Sequence, residues 1–538
     1  MFINTIFFIS CFYLVLISVL GYGLIFSKIF DINSSKQSIG IVGLLGIFLL
    51  TFISYLTNFI FAHDFIHNLI VLFLGLIFIF YSFYKDNFFK KETFKILLIT
   101  LFYIIGLFLS KNNEDFSYYH LMSVANLTEN KIQFGLANYN SGFGTQSSIF
   151  YFISLLYFPV IKYYLFNAHS LLILIFSSVI FLDNFFFKKE EKNNFINILS
   201  LFLFTFVNII FSNLSGYGSD RAGQIVVFII FIIFFDILFK KSILVDNVKV
   251  FLVLIFYVVT IKSYFFIYIL LLLLMYLEIK KYYSYNILLK NFYFLFFLSS
   301  YLLLYFSVNL ANTGCIIFPL RITCFSNLFW SVSLDGVSSL NHWFELWSKA
   351  GATPNYIVEN KIEYVQNFNW VSNWINNYFI GKGTDTLAAI IAIVVIFILI
   401  FSFNKNKIKK QKFSKTFFYL YCFLILFLFV WFNKHPDLRY GGYAIFVLIF
   451  FIPASIYLYK FNNFSKKNNI LIFFIVLIII STFNIRNYVR IVSEFKRNDS
   501  YKFTNFPFFS SKYLEILTSS RFTDKRIVIK GYNFYLPN

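Results

Sequence analysis

IGIVGLLGIFLLTFISYLTNFIF, running from Ile39 to Phe61, contains no charged residue and no proline. A run of this length crosses a hydrocarbon core of about 30 Å as a helix. Lipid offers backbone amides no partners, so a segment that crosses must be helix or closed barrel strand. Barrel strands alternate lipid-facing and lumen-facing residues over about 10 positions. Neither this stretch nor Ile470 to Ile480 alternates, so both read as transmembrane helix.

Outward from this stretch, similar blocks recur along the chain. Its 538 residues are 59% hydrophobic and 13% charged, against roughly half and a quarter in soluble domains. Spans are predicted at 2–26, 39–61, 68–84, 94–110, 168–187, 195–211, 224–239, 248–261, 264–278, 291–310, 386–403, 416–432, 440–458 and 469–484. The expected fold is all-α, a polytopic bundle of about 13–14 transmembrane helices over residues 1–484. A polar tail, 485–538, follows it. The first block, Phe2 to Phe26, has no basic leader and no small-residue cleavage site, so it reads as a retained helix. The pair 248–261 and 264–278 is tight enough to be two short helices or one long tilted one.

The formal charge of +21 could suggest nucleic acid or anionic lipid, but the position of the charges decides otherwise. Lys85, Lys90, Lys91 and Lys95 share one short loop, Lys188, Lys189 and Lys192 another, Lys240 and Lys241 a third, and Lys280 and Lys281 a fourth. Segment 404–416 carries six lysines and no acid, and Lys460, Lys466 and Lys467 close the series. Such loops are cytoplasmic under the positive-inside rule, and no nucleic-acid partner is expected. The remaining loops, chiefly 62–67, 111–147, 212–223, 311–385 and 433–439, are then outside. The alternation holds if 148–166, broken by Pro159, does not span.

Candidate chemistry gathers in those outer loops. Glu114 and Asp115 follow the fourth span, where a carboxylate can act as a general base or help hold a divalent metal such as Mg or Mn. Tyr118, Tyr119 and His120 come next, where His120 could share a proton in catalysis or bind a phosphate oxygen, and Gly135 to Gly144 supplies a glycine-rich backbone able to approach a ligand. Asp220 opens a helix, where capping is its ordinary role, but it could be a second acid facing the same cavity. Lys262 lies between two apolar runs and suits an anionic lipid phosphate. Lys434, His435 and Arg439 form a basic cluster on the side where positive charge is disfavoured, which makes Arg439, with His435, a candidate phosphate-binding group; an interfacial Arg–Tyr anchor is the other reading. Cys315 and Cys324 share one outer loop and form either a disulfide or two free thiols, depending on the compartment. Cys11 and Cys422 sit in apolar blocks. Trp343, Trp347, Trp370 and Trp374 suggest amphipathic helices at the membrane interface, with sugar stacking as the second reading.

Asp115-Phe-Ser-Tyr-Tyr-His120-Leu121, then Phe134-Gly-Leu-Ala-Asn138 and Ser141-Gly-Phe-Gly144, resembles a family of bacterial polytopic proteins that is similar to the GT-C clade of glycosyltransferases. Gly218-Ser-Asp220, Ile261-Lys262, Thr313-Gly-Cys315 with Pro319 and Cys324, and Pro436-Asp-Leu-Arg439-Tyr440 agree in order. The chain departs from the clade in having several spans before the first large outer loop and no plain Asp-x-Asp. The resemblance implies a multi-pass protein of the bacterial inner membrane that takes a sugar from a polyprenyl-phosphate carrier. The acceptor would be a glycan or lipid at the outer face. Asp115 would be the acid/base, and Lys262 and Arg439 would hold the carrier phosphate. The alternatives are an O-antigen polymerase or ligase, leaning on outer Arg and His; a flippase or transporter of lipid-linked sugars, with charges along a path; and a membrane scaffold. Convergence of Asp115, Asp220, Lys262 and Arg439 on one outer cavity is what the transferase reading requires.

Overall fold

The computed structural model describes residues 2–85, 87–109, 115–186, 194–213, 218–239, 245–282, 291–352, 358, 360–402, 415–459, 466–497, 501 and 526–537. Residue 86, residues 110–114 including Glu114, and the lysines at 188, 189, 192, 240, 241, 405, 407, 409, 410, 412 and 460 lie outside them. So do the side chains of Lys466 and Lys467 and most of the polar tail. Among the described residues, eleven helices are long and apolar enough to cross a membrane. Two shorter apolar helices, Asn194–Ile209 and Val245–Ile261, join them.

The core sits around Tyr164–Phe186, which is buried along its apolar length, flanked by Ile39–Asn58 and Gly218–Phe239. Phe65–Lys85, Lys415–Lys434 and Ile470–Arg497 present far more surface and form the periphery. Small residues set the tightest contacts. A Cβ on Gly46 would lie 1.9 Å from Val19 O, and one on Gly21 would lie 2.0 Å from Gly75 O. Without a hydrophobic drive between helices in lipid, such close backbone packing supplies the attraction.

Three sequence readings need adjustment, and one that stood open is settled. The segment expected to span at 94–110 is a helix Asn87–Leu101 followed by a 3-10 turn Ile104–Phe108; at 1.5 Å per residue the helix is too short to cross alone. The pair around Lys262 resolves into two segments, Val245–Ile261 and Ser263–Tyr282, with Lys262 extended between them. Asp246 at one end meets Asn33, and Lys281 at the other meets Thr416, so the chain reverses at Lys262. Trp370 and Trp374 are buried against Phe432 rather than lying at an interface, whereas Trp343 is exposed. The last helix, Lys466–Arg497, continues past the expected boundary at 484, and Arg486 and Arg490 bond Ile209 O and Ser212. Segment 148–166 does stay short: a helix Ser148–Ser154, a turn, and a 3-10 turn Tyr164–Asn167. Ser54 and Asn68 tie it down by donating to the carbonyls of Tyr151, Ser154 and Tyr157.

The two ends of the bundle differ. At the lysine-rich end, Asp183 accepts from Ser38 Oγ and pairs with Lys95 Nζ at 3.0 Å, and Lys95 also meets Glu92. Gln37, Asn247 and Asp236 continue this network. At the loop-rich end, segments 115–144, 311–352, 360–383 and 433–442 pack together. An antiparallel hairpin, Arg526–Ile529 with Tyr532–Tyr535, docks on them. Phe134 N donates to Asn533 O and Tyr535 N to Phe134 O, so Phe134 extends the hairpin by one rung. Gly135 follows at φ +72°, and a Cβ there would lie 2.2 Å from Tyr535 O; only glycine fits both the backbone and the space.

Candidate functional site

Arg439 is the hub of an ionic cluster at the loop-rich end. Its Nη1 lies 3.6 Å from Asp115 Oδ2, and its Nε lies 3.9 Å from Asp220 Oδ2 and 3.4 Å from Asp437 Oδ2. Lys262 Nζ donates to the other oxygen of Asp220, so that carboxylate bridges the two cations. Asp115, Asp220, Lys262 and Arg439 come from four distant segments and meet here.

Local structure explains how each arrives. The helix Lys415–Lys434 ends before His435-Pro-Asp437, and the Asp437 carboxylate accepts from Arg439 N at 3.0 Å. This cap opens a kinked turn, Leu438–Gly442, in which Tyr440 and Gly441 leave helical backbone geometry. Gly441 has φ +93°, and a Cβ there would lie 2.5 Å from the Tyr264 ring. A shelf of aromatic donors holds the turn from below. Tyr378 OH donates to Asp437 Oδ1 at 2.7 Å, Trp374 Nε1 to Pro436 O at 2.7 Å, and Trp431 Nε1 to Asp437 O at 2.8 Å. Gln224 donates to Arg439 O at 3.0 Å and accepts from Ala444 N at 2.9 Å. Asp220 lies in the first turn of Gly218–Phe239, where the helix N-terminus favours its charge. Asp115 precedes a π-helical turn, Phe116–His120.

The cluster has a mouth and a floor. Side-chain exposure is 36% for Asp115, 25% for Lys262 and 21% for Arg439, but 8% for Asp220 and 4% for Asp437. Aromatic faces surround the cations. Arg439 Cζ is 4.5 Å from the Trp347 ring centroid, and Lys262 Nζ is 4.3 Å from that of Tyr440. Such contacts offset part of a cation's desolvation. Arg439 Nε and Asp437 Oδ2 face each other as an ion pair without forming a hydrogen bond, and His435 Nδ1 and the Tyr264 hydroxyl are buried without a hydrogen-bond partner among the described residues, where buried polar groups are ordinarily bonded.

Burial, followed by the charges of Asp115 and Asp220, raises the Tyr119 hydroxyl well above its ordinary pKa, so it stays a donor. Burial pushes His435 down to about 4 against the opposing pull of Glu345, with Lys434, Lys262 and Lys349 adding to the fall. His435 was expected among the phosphate-binding groups; at neutral pH it brings a hydrogen-bonding imidazole and no charge. His120 is buried edge-on to Tyr119 at 4.4 Å and tilted on Phe150 at 5.2 Å, which puts it in the wall behind Tyr119. Glu114 lies outside the described residues. Cys315 and Cys324 are joined as a disulfide.

A divalent metal does not fit what is described. The carboxylates gather around a guanidinium, and no three His, Cys, Asp or Glu among the described residues are placed to hold an ion. Sequence reasoning missed Asp437 and undervalued Trp347 and Tyr440. Asp437 stood within the Pro436–Tyr440 landmark, and its spacing of two from Arg439 is the signal of a carboxylate capping the turn that carries the arginine.

The fold and this cluster define a multi-pass helical membrane protein with a built ionic site at one end of the bundle. Residues 5–446 match the model of the family described as a domain of unknown function (DUF8201), and the chain belongs to that family. The matched region contains the whole ionic cluster and ends before the last helix and the hairpin. No curated protein and no solved structure matches the chain.

Proposed function

We propose that this chain is a membrane glycosyltransferase of the GT-C kind. It moves a sugar from a polyprenyl-phosphate carrier to a glycan or lipid acceptor at the outer face of a bacterial inner membrane. The observation that carries the reading is the meeting of Asp115, Asp220, Lys262 and Arg439 at one partly open point. The disulfide on the same end supports an oxidising, outer compartment for it.

In this reading Asp115, the most open carboxylate, takes the proton of the acceptor hydroxyl as the new C1–O bond forms. The bond from C1 to the carrier phosphate breaks on the opposite face, and its electron pair stays on the phosphate oxygen. Lys262 and Arg439 offset that charge, and the sugar carbon inverts. Asp220 and Asp437 act from the floor, keeping Lys262 and Arg439 in place. Trp347 and Tyr440 offer ring faces at the mouth.

The test replaces Asp115 by Asn in the source organism, with expression checked, and profiles surface glycans and lipid-linked sugars by mass spectrometry. A truncated glycan with accumulated lipid-linked donor is expected. An unchanged profile, alongside a clear change on full deletion, would move the function to a polymerase, ligase or transporter.

A further inference from the structure

Asp220 and its neighbour Arg221 diverge. Asp220 meets Lys262 and Arg439. Arg221 donates to Asn213 O and lies over the Phe211 ring at 5.6 Å, and there the last helix brings in two more arginines. Arg486 Nη1 donates to Ile209 O at 2.6 Å, and Arg490 Nη1 to Ser212 Oγ at 3.2 Å and to Asn487 Oδ1 at 2.6 Å. The charges that act on Arg490 are those of Arg486 and Arg221, both of its own sign. The carbonyl end of Asn194–Ile209 favours cations, but it supplies no full negative charge. Among the described residues no carboxylate pairs with Arg486 or Arg490, and their Nε and Nη2 atoms have no hydrogen-bond partner. Glu494, the one acid in Lys466–Arg497, acts on Tyr501. Asn487 completes the arrangement. It is fully buried, its Oδ1 is taken by Arg490, and its Nδ2 has no hydrogen-bond partner among the described residues. A buried amide N–H beside clustered guanidiniums is a set of donors that wants an acceptor.

We propose that Arg221, Arg486, Arg490 and Asn487 form a second anion site, which seats the phosphate of an anionic phospholipid from the leaflet at the loop-rich end and so fastens the last helix to the bundle. This goes beyond the transferase reading and does not depend on it. The position selects a lipid as the bearer of the phosphate. Ile485, Tyr488 and Val489, on the same turns as the arginines, are exposed, and Ile470–Arg497 runs along the periphery of the bundle. Exposed aliphatic side chains at the level of the guanidiniums place the cluster at the border of acyl chains and headgroups, where basic groups between membrane helices bind anionic lipid. A phosphate brings several acceptor oxygens and a negative charge, and guanidinium forks match it in both respects.

Lipid retention by the detergent-purified full chain, read by native mass spectrometry, tests the site. Dioleoylphosphatidylglycerol is the probe, dioleoylphosphatidylcholine the zwitterionic control, and inorganic phosphate a separate arm. The parent is expected to hold phosphatidylglycerol in preference to phosphatidylcholine. Arg486→Gln combined with Arg490→Gln should weaken that binding roughly tenfold, the scale of losing charge-assisted hydrogen bonds. Asn487→Asp keeps every arginine and supplies the missing carboxylate from within the chain. It should weaken the lipid roughly fivefold, while the lipid-free protein melts no lower than the parent. Arg321→Gln removes an exposed arginine of the same end, bonded to Ser338, and should leave the affinity within about twofold. Unchanged binding in both the paired arginine variant and Asn487→Asp would overturn the site, as would an equal loss in Arg321→Gln, which would mean a general field effect. Equal retention of the two lipids would overturn recognition of an anionic headgroup. If inorganic phosphate protects the parent against melting as fully as phosphatidylglycerol does, the site takes free anions and the lipid assignment falls. Thermal melting of each variant shows that the chain is folded when the affinities are compared.

Discussion

Each end of the bundle sets an aspartate against a lysine, and the two ends do it differently. At the lysine-rich end both oxygens of Asp183 are used, one by Ser38 and one by Lys95, and the link staples three separate helices. At the loop-rich end Asp220 meets Lys262, but Arg439, two further carboxylates and two aromatic faces crowd the same space. There the backbone is kinked at Tyr440 and Gly441, and His435 Nδ1 and the Tyr264 hydroxyl lack hydrogen-bond partners among the described residues. A saturated ion pair on regular helices has little left to offer a ligand. An arginine hub on a distorted turn, with one open carboxylate, has a great deal. Burial of charge alone therefore does not mark a site; the meeting of charges from distant segments at a partly open mouth does.

The comparison can be broken most directly by activity. Asp115→Asn should lower transfer by at least about a hundredfold, the usual scale for loss of a general base, while Asp183→Asn should leave transfer per folded molecule nearly unchanged. Transfer measured on purified protein, normalised to folded material, separates them. Stability should reverse the order. Asp183→Asn weakens a buried pair and costs about 2 kcal/mol, whereas Asp115→Asn, at a partly exposed pair, costs about 1 kcal/mol or less. Denaturation in detergent reads the difference.

Acid sharpens the contrast further. His435 has its folded pKa lowered to about 4, below the ordinary value of about 6.5. The unfolded chain therefore binds the extra proton first as the pH falls. Stability on this account is present above about 6.5 and declines between there and about 4. His63, in the loop before Phe65–Lys85, is lowered to about 3 by burial and by His67, and adds a decline of the same sign. His435→Gln should flatten part of the acid slope of the melting temperature; a slope that is unchanged would mean His435 is not buried as a neutral ring. The smallest effect is expected at Trp347. Trp347→Ala removes a face over Arg439 and should raise donor KM about two- to fivefold, with little change in melting.

The membrane architecture was legible because hydropathy is a one-dimensional signal. Every predicted span finds a helical segment, and even the break at Lys262 was marked by a lysine between apolar runs. The charged residues of the site were legible for a related reason: a cation on the side where positive charge is disfavoured, or at depth, needs an explanation. What the sequence concealed depends on contacts between distant segments. Tryptophans spaced by four fit an interfacial helix as well as the buried shelf that Trp370 and Trp374 form beneath Pro436. Neutralisation of His435 comes first from burial among distant segments, with its chain neighbour Lys434 only adding to the fall. The hairpin did leave a local trace, since Arg526-Ile-Val-Ile and Tyr532-Asn-Phe-Tyr flank Lys530-Gly531. Both turn residues have positive φ, as a tight hairpin turn demands.

That hairpin has a consequence for biosynthesis. Phe134 and Asn138 are made early, and Tyr535, to which both bond, is made about four hundred residues later. At roughly 5–20 residues per second, the segment 134–144 waits tens of seconds for its last strand. Through Tyr118, which bonds Ser141 and Asn140, the same segment braces the turn that follows Asp115. The wall beside Asp115 is thus among the last parts of the chain to close, a few seconds after the last helix, Lys466–Arg497, is made.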